Sequence, residues 1–430
     1  METTGSDVQR FGDRDAILTR LRSSVIAWTE HGRAAPLSRW LDQELDPDGV
    51  PRRLDVTAWS VALSIIGAAA DVRPTEWPER FDALAEGWFR AFVRFSRPDG
   101  SSVFDTQSPA ARDHRSVLFR NWAARLSDPA LSTVVDWWFP ANRQGPHAPP
   151  PLPADSRPDR VLAVLRANWS RDGDILAVDH RGAGAQTRLE LFGGGRCWLG
   201  PTWDDVGSAG LGVKARPTLW ISQGSADVAE WTFRIGQARV VRTAVLLRGR
   251  RLALLAEQWD GSGDPGSMRL GLAAGVEAAP VPGNPGGGLV LTHRKSRASA
   301  RVLPIGLPSA ANPLSTVGLE AMGNQIVLKQ SAAAGEKRVW RALLVSWDAP
   351  RNRRPVRWRT LTVSESSQAC RRDTAFGARI AWGRDESLLI YRSLSAPALR
   401  AVLGHQTRAR FLIGLFTREG EVEPLLTVAE

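Results

Sequence analysis

The chain changes texture near Pro140, and that change restricts its architecture more than any other feature. Before it, apolar residues return at intervals of three and four, and eight tryptophans fall among them. From about Ile175 to Val428, short apolar runs are punctuated by Gly and Pro instead. Between the two lies PANRQGPHAPPPLPADSRPD, Pro140 to Asp159, a stretch too rich in Pro to extend either pattern. The expected fold is therefore multidomain, α then β. It comprises an α-helical domain over 1–140, a Pro-rich linker over 141–160 and a large antiparallel β-sandwich over 161–430.

Five or six helices fit the first part. Asp15 to Trp28 places Ile17, Leu18, Leu21, Val25 and Ile26 on one face, and Pro36 to Leu45 does the same with Leu37, Trp40 and Leu41. Asp55 reads as an N-cap for a helix that turns Trp59, Ala62, Leu63 and Ile66 inward. Pro78 to Phe95 repeats the pattern with Phe81, Leu84, Trp88, Phe89 and Phe92. Ser108-Pro109 and Asp128-Pro129 each offer a cap followed by Pro at the first helical position. Short connections make these helices antiparallel neighbours, and six of them form an incomplete α/α toroid. A buried tryptophan hides roughly 150–250 Å², so most of these rings belong in a core. The turn at Asp99-Gly100, within Arg97 to Asp105, joins two of the helices.

In the second part, strands are expected at Ile175–Val178, Thr187–Phe192, Cys197–Leu199, Ala229–Phe233, Val240–Leu247 and Leu252–Gln258. Later ones fall at Val339–Trp347, Leu388–Arg392, Phe411–Phe416 and Leu425–Val428. Arg248-Gly249-Arg250 and the glycines 193–195 read as hairpin turns, and Gly261 to Gly288 as loops at one end of the sandwich. No fixed-length repeat is evident, which argues against a propeller or solenoid.

Charge and cysteine usage narrow the classes further. Net charge is +11, and of 56 basic residues only Lys214, Lys295, Lys329 and Lys337 are lysine. Arginine forks suit carboxylate, sulfate and phosphate. The charge alone raises a nucleic-acid reading. However, the basic runs Arg248–Arg251 and Arg351–Arg354 are turn tips without interleaved aromatics, so nucleic acid is not an expected partner. The longest apolar stretch, Val61 to Ala70, is interrupted by Ser64 and Gly67 and is too short to cross a membrane. The first twenty residues lack a basic region followed by an apolar one, so the chain is expected in the cytoplasm. Cys197 and Cys370 are expected as buried thiols, with a single bridge left open.

Helical domain, linker and large sandwich in this order resemble the heparinase II/III-like polysaccharide lyases. More locally, ILAVDHRGAGAQTRLELFGGGRCWLGPTW, Ile175 to Trp203, resembles the opening of that family's sandwich. WTFRIGQARVVRTAVLLRGRRLALLAEQWDG, Trp231 to Gly261, resembles its paired strands. The resemblance implies an acidic polysaccharide or oligosaccharide as partner, and β-elimination as the reaction in active members. It also implies a His-rich, Asp-containing segment after the first strand, and a Tyr and a His from the helices. Here that segment is His180-Arg181-Gly182-Ala183-Gly184-Ala185-Gln186-Thr187, and Tyr391 is the chain's one tyrosine.

Elimination needs a base for the proton α to the carboxyl group, an acid for the leaving oxygen and a cation to neutralise the carboxylate. The candidate catalytic residues are His180, and His114 with Asn121 seven residues on along one helical face. Candidate substrate contacts are Arg181, Gln186, Arg188, Trp198 and Trp203, with Glu190 near them. Asp204 and Asp205, with His180 or His293, are the one place considered for a divalent metal. No metal site is assigned and no cofactor is expected. The expected function is a degenerate relative that interacts with acidic polysaccharide and has weak or no elimination activity. The alternative is an active uronate-cleaving lyase, and an oligomer is left open.

Overall fold

The computed structural model describes residues 6–72, 81–105, 112–126, 128–140, 148–157, 161–180, 187–205, 215–262, 265–281, 288–307, 318–332 and 335–429. Two compact units emerge. One comprises 1–155 with 169–173, and the other 156–168 with 174–430.

The first unit is helical: α1 (Ser6–Thr29), α2 (Ala35–Glu44), α3 (Val56–Val72), α4 (Phe81–Arg94), α5 (Arg112–Leu126) and α6 (Pro129–Trp138). α1 packs on α2 and α3, α3 also meets α4 and α5, and α5 rests on α4 and α6. The expected caps at Asp55 and Asp128 both form. Ala58 N–H donates to Asp55 Oδ1 at 2.8 Å, and Ala130 and Leu131 donate to Asp128 Oδ1 at 2.9 and 3.2 Å. Arg90 holds the other oxygen of Asp128 at 2.8 Å, which ties α4 to the start of α6. Ser108-Pro109 lies outside the described residues.

Trp28, Trp40, Trp59, Trp88, Trp122 and Trp138 are buried in this unit, while Trp137 is 41% exposed. Several buried indole N–H groups find backbone carbonyls, as Trp122 does at Leu63 (3.2 Å) and Trp138 at Trp169 (2.8 Å), while that of Trp88 has no partner among the described residues. The turn at Asp99-Gly100 is closed by Ser101 N–H donating to Asp99 Oδ1 at 2.9 Å and by Arg97 N–H donating to Ser101 O at 2.7 Å.

The second unit is built from four antiparallel sheets. The first runs β1 (Asp155–Arg157), β2 (Leu162–Arg166), β3 (Ile175–Asp179), β4 (Thr187–Gly193), β5 (Arg196–Asp205), β10 (Ser267–Leu272), β15 (Gln325–Lys329), β14 (Gly318–Met322). The second runs β11 (Val276–Pro280), β12 (Leu289–His293), β13 (Ser299–Pro304), β16 (Arg338–Ser346), β9 (Leu252–Asp260), β8 (Ala238–Leu247), β7 (Ala226–Ile235), β6 (Arg216–Gln223). The third runs β17 (Val356–Thr360), β20 (Ala375–Trp382), β21 (Glu386–Ser393), β24 (Phe411–Phe416), β25 (Val422–Val428). The smallest runs β19 (Gln368–Ala369), β18 (Val363–Glu365), β22 (Arg400–Val402), β23 (His405–Thr407). A short helix, α7 (Ala349–Asn352), links the second sheet to the third.

The sheets stack in that order around three cores. Leu176, Leu189, Trp203, Trp231, Ala244 and Leu255 fill the first. Val245, Leu254, Leu344, Ile380, Ile390 and Ile413 fill the second. Val363, Val402, Leu389 and Tyr391 fill the third. The second sheet is therefore covered on both faces, and its central strands read as unbroken apolar runs rather than as alternation. Along β8, Ala244 and Leu246 face the first core while Val245 and Leu247 face the second.

Two expectations need correction. Gly261 to Gly288 is not only loops, because SMRLGL forms β10 and VEAAP forms β11. Cys197 and Cys370 are free thiols but half-buried rather than buried. The hairpin turns at Arg248–Arg250 and Gly194–Gly195 form as expected. Among the described residues no helix is long and apolar enough to cross a membrane.

Candidate functional site

His180 follows β3 directly and Thr187 opens β4. Strand alternation turns both toward the second sheet, in line with Leu176 and Val178 and with Leu189 and Leu191. His180 is 8% exposed and sits against Trp231 of β7, with ring centroids 4.8 Å apart, and near Phe233 at 6.2 Å. Its Nδ1 lies 2.8 Å from Thr187 Oγ1.

Behind Thr187 is a buried row of charge. Trp231, Arg242, Glu257 and Arg341 occupy directly opposed positions on β7, β8, β9 and β16. Arg242 Nη1 donates to Thr187 Oγ1, and its Nε donates to Glu257 Oε1 at 2.8 Å. Arg341 Nη2 donates to Glu257 Oε2 at 2.8 Å and its Nη1 to Pro265 O at 2.9 Å. The Arg242 guanidinium also lies over the rings of Trp203 and Phe233, at 5.2 and 4.9 Å. Glu257 thus engages both cations and leaves them little capacity for another anion.

Burial, reinforced by the positive charge of Arg242, holds the His180 imidazole well below its ordinary value, so the ring is neutral. The hydrogen-bond inventory then assigns its tautomer. Arg242 can only donate, so Thr187 Oγ1 accepts from it. The buried Thr187 proton needs an acceptor, and among the described residues that acceptor is Nδ1. The imidazole proton therefore sits on Nε2, which has no partner among the described residues. In this arrangement His180 presents a donor, not a lone pair, at its free nitrogen.

Asp204, one residue past Trp203 on β5, points to the opposite face and pairs across the ladder with Arg269 of β10. Burial pushes its carboxyl up against the pull of Arg242, Thr202 and Arg269, and Oδ1 has no partner among the described residues. Among those residues no group of three His, Cys, Asp or Glu is placed to hold a metal, and the Asp205 side chain lies outside them.

The remaining candidates separate. Arg181 and Gln186 lie outside the described residues. Arg188 is half-buried on β4, opposite Asp179 of β3 and Thr202 of β5. Glu190 is buried on the same strand. His114 and Asn121 are both exposed on α5, in the helical unit. Trp198 and Trp203, expected as sugar contacts, are instead core residues at 2% and 0% exposure. Their inward register on β5 leaves no ring face for a sugar. Tyr391 is equally committed, with its hydroxyl taking a bond from Arg400 at 3.3 Å inside the third core. Arg242, Glu257 and Arg341 were not singled out from sequence. A single charge inside each of three apolar runs, VVRTAVLL, LALLAEQW and VWRALLVS, is the signal that marks them.

No family model and no curated protein matches the chain by sequence. Solved structures do match. The heparan sulfate lyase HepC from Pedobacter heparinus is similar at 13% identity with a TM-score of 0.60, covering 88% of this chain and 66% of the lyase. A mutant of that lyase gives 0.62 over 84% of this chain and 62% of the lyase, also at 13% identity. A heparinase III gives 0.61 at 13% identity, over 88% of this chain and 65% of its own. This chain spans about three fifths to two thirds of those lyases' length. At this identity the likeness is one of fold: an α-helical domain followed by a β-sandwich.

Proposed function

We propose that the protein interacts with acidic polysaccharide and has weak or no β-elimination activity. The polysaccharide part of this reading draws support from the architecture it shares with heparan sulfate lyases. The observation that carries the loss of activity is the closed hydrogen-bond chain Glu257–Arg242–Thr187–His180. It occupies the lone pair of His180 and engages the cations that would otherwise meet a uronate carboxylate. A base needs the first and a carboxylate clamp needs the second.

The test is absorbance near 232 nm, where an unsaturated uronate absorbs, during incubation with heparan sulfate, chondroitin sulfate, hyaluronan, alginate and pectin. The expected result is no rise, with salt-sensitive retention on an acidic-glycan column. A rise that disappears in His180→Ala would overturn the reading in favour of an active lyase. That second reading would require the proton to move to Nδ1, leaving a lone pair on Nε2, which has no partner among the described residues.

A further inference from the structure

We infer that the outer face of the third sheet, along its edge strand β17, is a binding surface for an acidic glycan chain. This inference rests on the acidic-glycan reading above and supplies a place for the contact, separate from the His180 cluster.

On β17 the side chain of Trp358 enters the second core, so Arg357 and Arg359 on either side of it face outward. Both are exposed. In the ladder, Arg359 lies directly opposite Arg379 of β20. Two like charges in opposed positions repel and weaken a sheet unless an anion lies between them. No acidic side chain pairs with Arg357, Arg359 or Arg379 among the described residues. Arg379 is instead set in place from below. Its Nε donates to Ser387 Oγ at 2.8 Å, and its guanidinium lies 4.8 Å from the ring of Phe416.

Six other arginines of this unit, Arg242, Arg341, Arg392, Arg410, Arg248 and Arg351, are spent on internal carboxylates. The smallest sheet covers only part of the third sheet's outer face, where Val363 and Val402 press over Gly377. Beyond that cover the strip stays open. At its far end the β20–β21 turn is tied to the start of β17 by Gly383 N–H donating to Pro355 O at 2.9 Å. That tie places exposed Arg354 and Arg384 at the same end of the strip, with Asp385 beside them in the turn.

The result is a set of exposed arginines along an extended edge strand. Residues two apart on one strand are spaced about 7 Å, a repeat that an extended polymer can follow. Planar forks match sulfate and carboxylate oxygens two at a time. Phe416 carries Arg379 over its ring and packs against the third core, so among the described residues this strip shows no exposed aromatic for stacking a nucleobase, and the glycan is the better-matched occupant.

The competing explanation is that arginines on an edge strand merely prevent sheet-to-sheet association. Arg357→Ser with Arg359→Ser separates the two. Binding of the full chain to a heparin octasaccharide would be measured by calorimetry, with single-stranded DNA of matched length as comparison and Arg234→Ser with Arg239→Ser, an exposed opposed pair on β7 and β8, as a charge-matched control. The expected result is a loss of about ten-fold or more in octasaccharide affinity for the β17 double variant, with the control pair unchanged. Unchanged affinity in the double variant, with or without aggregation, would overturn this surface while leaving the glycan reading standing. No binding by the parent chain to the octasaccharide would sink both. Tighter binding of the DNA, lost in the same variant, would keep the surface and replace its occupant.

Discussion

Arg242 lies directly opposite Glu257 in the β8–β9 ladder, its Nε 2.8 Å from Oε1, and the two side chains are 1% and 0% exposed. Arg341 takes the other oxygen from β16. Desolvating three charges is costly, and such a triad adds little net stability while it is intact. Breaking it is another matter. Glu257→Gln leaves two buried guanidinium groups facing a neutral amide, and unfolding by denaturant should show a loss of about 3–5 kcal/mol. Replacing all three with Arg242→Met, Glu257→Met and Arg341→Leu should recover most of that loss. A single variant as stable as the parent chain would mean the triad is not desolvated as described.

Trp347 rests on Gly193. Its indole N–H donates to Asp174 Oδ1 at 2.8 Å, and a Cβ built on Gly193 would overlap the indole ring. The glycine is therefore required by a close approach rather than by the hairpin turn beside it. Gly193→Ala should cost about 1–3 kcal/mol, the usual range for overpacking. In a Trp347→Leu background the same change should cost much less. Equal cost in both backgrounds would show that the glycine serves the turn and not the ring.

Most helices were legible from an apolar face, although α1 begins at Ser6 rather than Asp15 and Ile26, expected inward, is exposed. Asp128-Pro129 is the clearest case, with a capping carboxylate followed by a residue that needs no N–H donor. The central strands were legible for the opposite reason, since two covered faces make VVRTAVLL and LALLAEQW continuous. Strands β10 and β11 were missed because Gly and Pro surround them, and local composition cannot report a partner strand far along the chain. β10 is held between β5 and β15, which lie some 55 to 70 residues away in sequence. Trp198 and Trp203 were misplaced because a tryptophan near a presumed site reads equally as platform or core. Only the register of β5 decides which. At the candidate site, His180 could be found as an isolated histidine after a strand. The chain of bonds that fixes its proton depends on cross-strand opposition, which no single segment reveals.

Glu230 gives an acid-side signature. It faces the second core from β7, with Arg392 and Arg410 on its oxygens and Thr243 donating at 3.0 Å. Burial alone would raise its carboxyl, but the two guanidinium groups and their hydrogen bonds outweigh it and hold the folded value below the ordinary one. A group depressed on folding contributes stability above its unfolded value, near 4.3, and loses that contribution as pH falls through the folded value. Thermal stability should therefore decline below about pH 4, and Glu230→Gln should flatten that part of the curve while lowering stability at pH 7. An unaltered acid limb in Glu230→Gln would assign the decline to other carboxylates.

His180 titrates in a different window. Its folded value is depressed by burial first and by Arg242 second, while in the unfolded chain it returns to about 6.5. Between those two values the unfolded chain binds a proton that the folded chain refuses, so stability falls as pH drops from about 7 toward 5. Asp204 works against this. Its folded value is raised, so its contribution is complete at low pH and fades as pH rises through that value. Comparing the parent chain with His180→Gln isolates the histidine, because Asp204 is present in both. The stability difference should be largest near pH 5 and should shrink toward neutrality. The nitrogen shifts of the ring, followed by NMR over the same range, should report a neutral imidazole protonated on Nε2 throughout. A ring that charges near its unfolded value, or one protonated on Nδ1 when neutral, would break the argument that Thr187 occupies the lone pair. His180 would then again be available as a base.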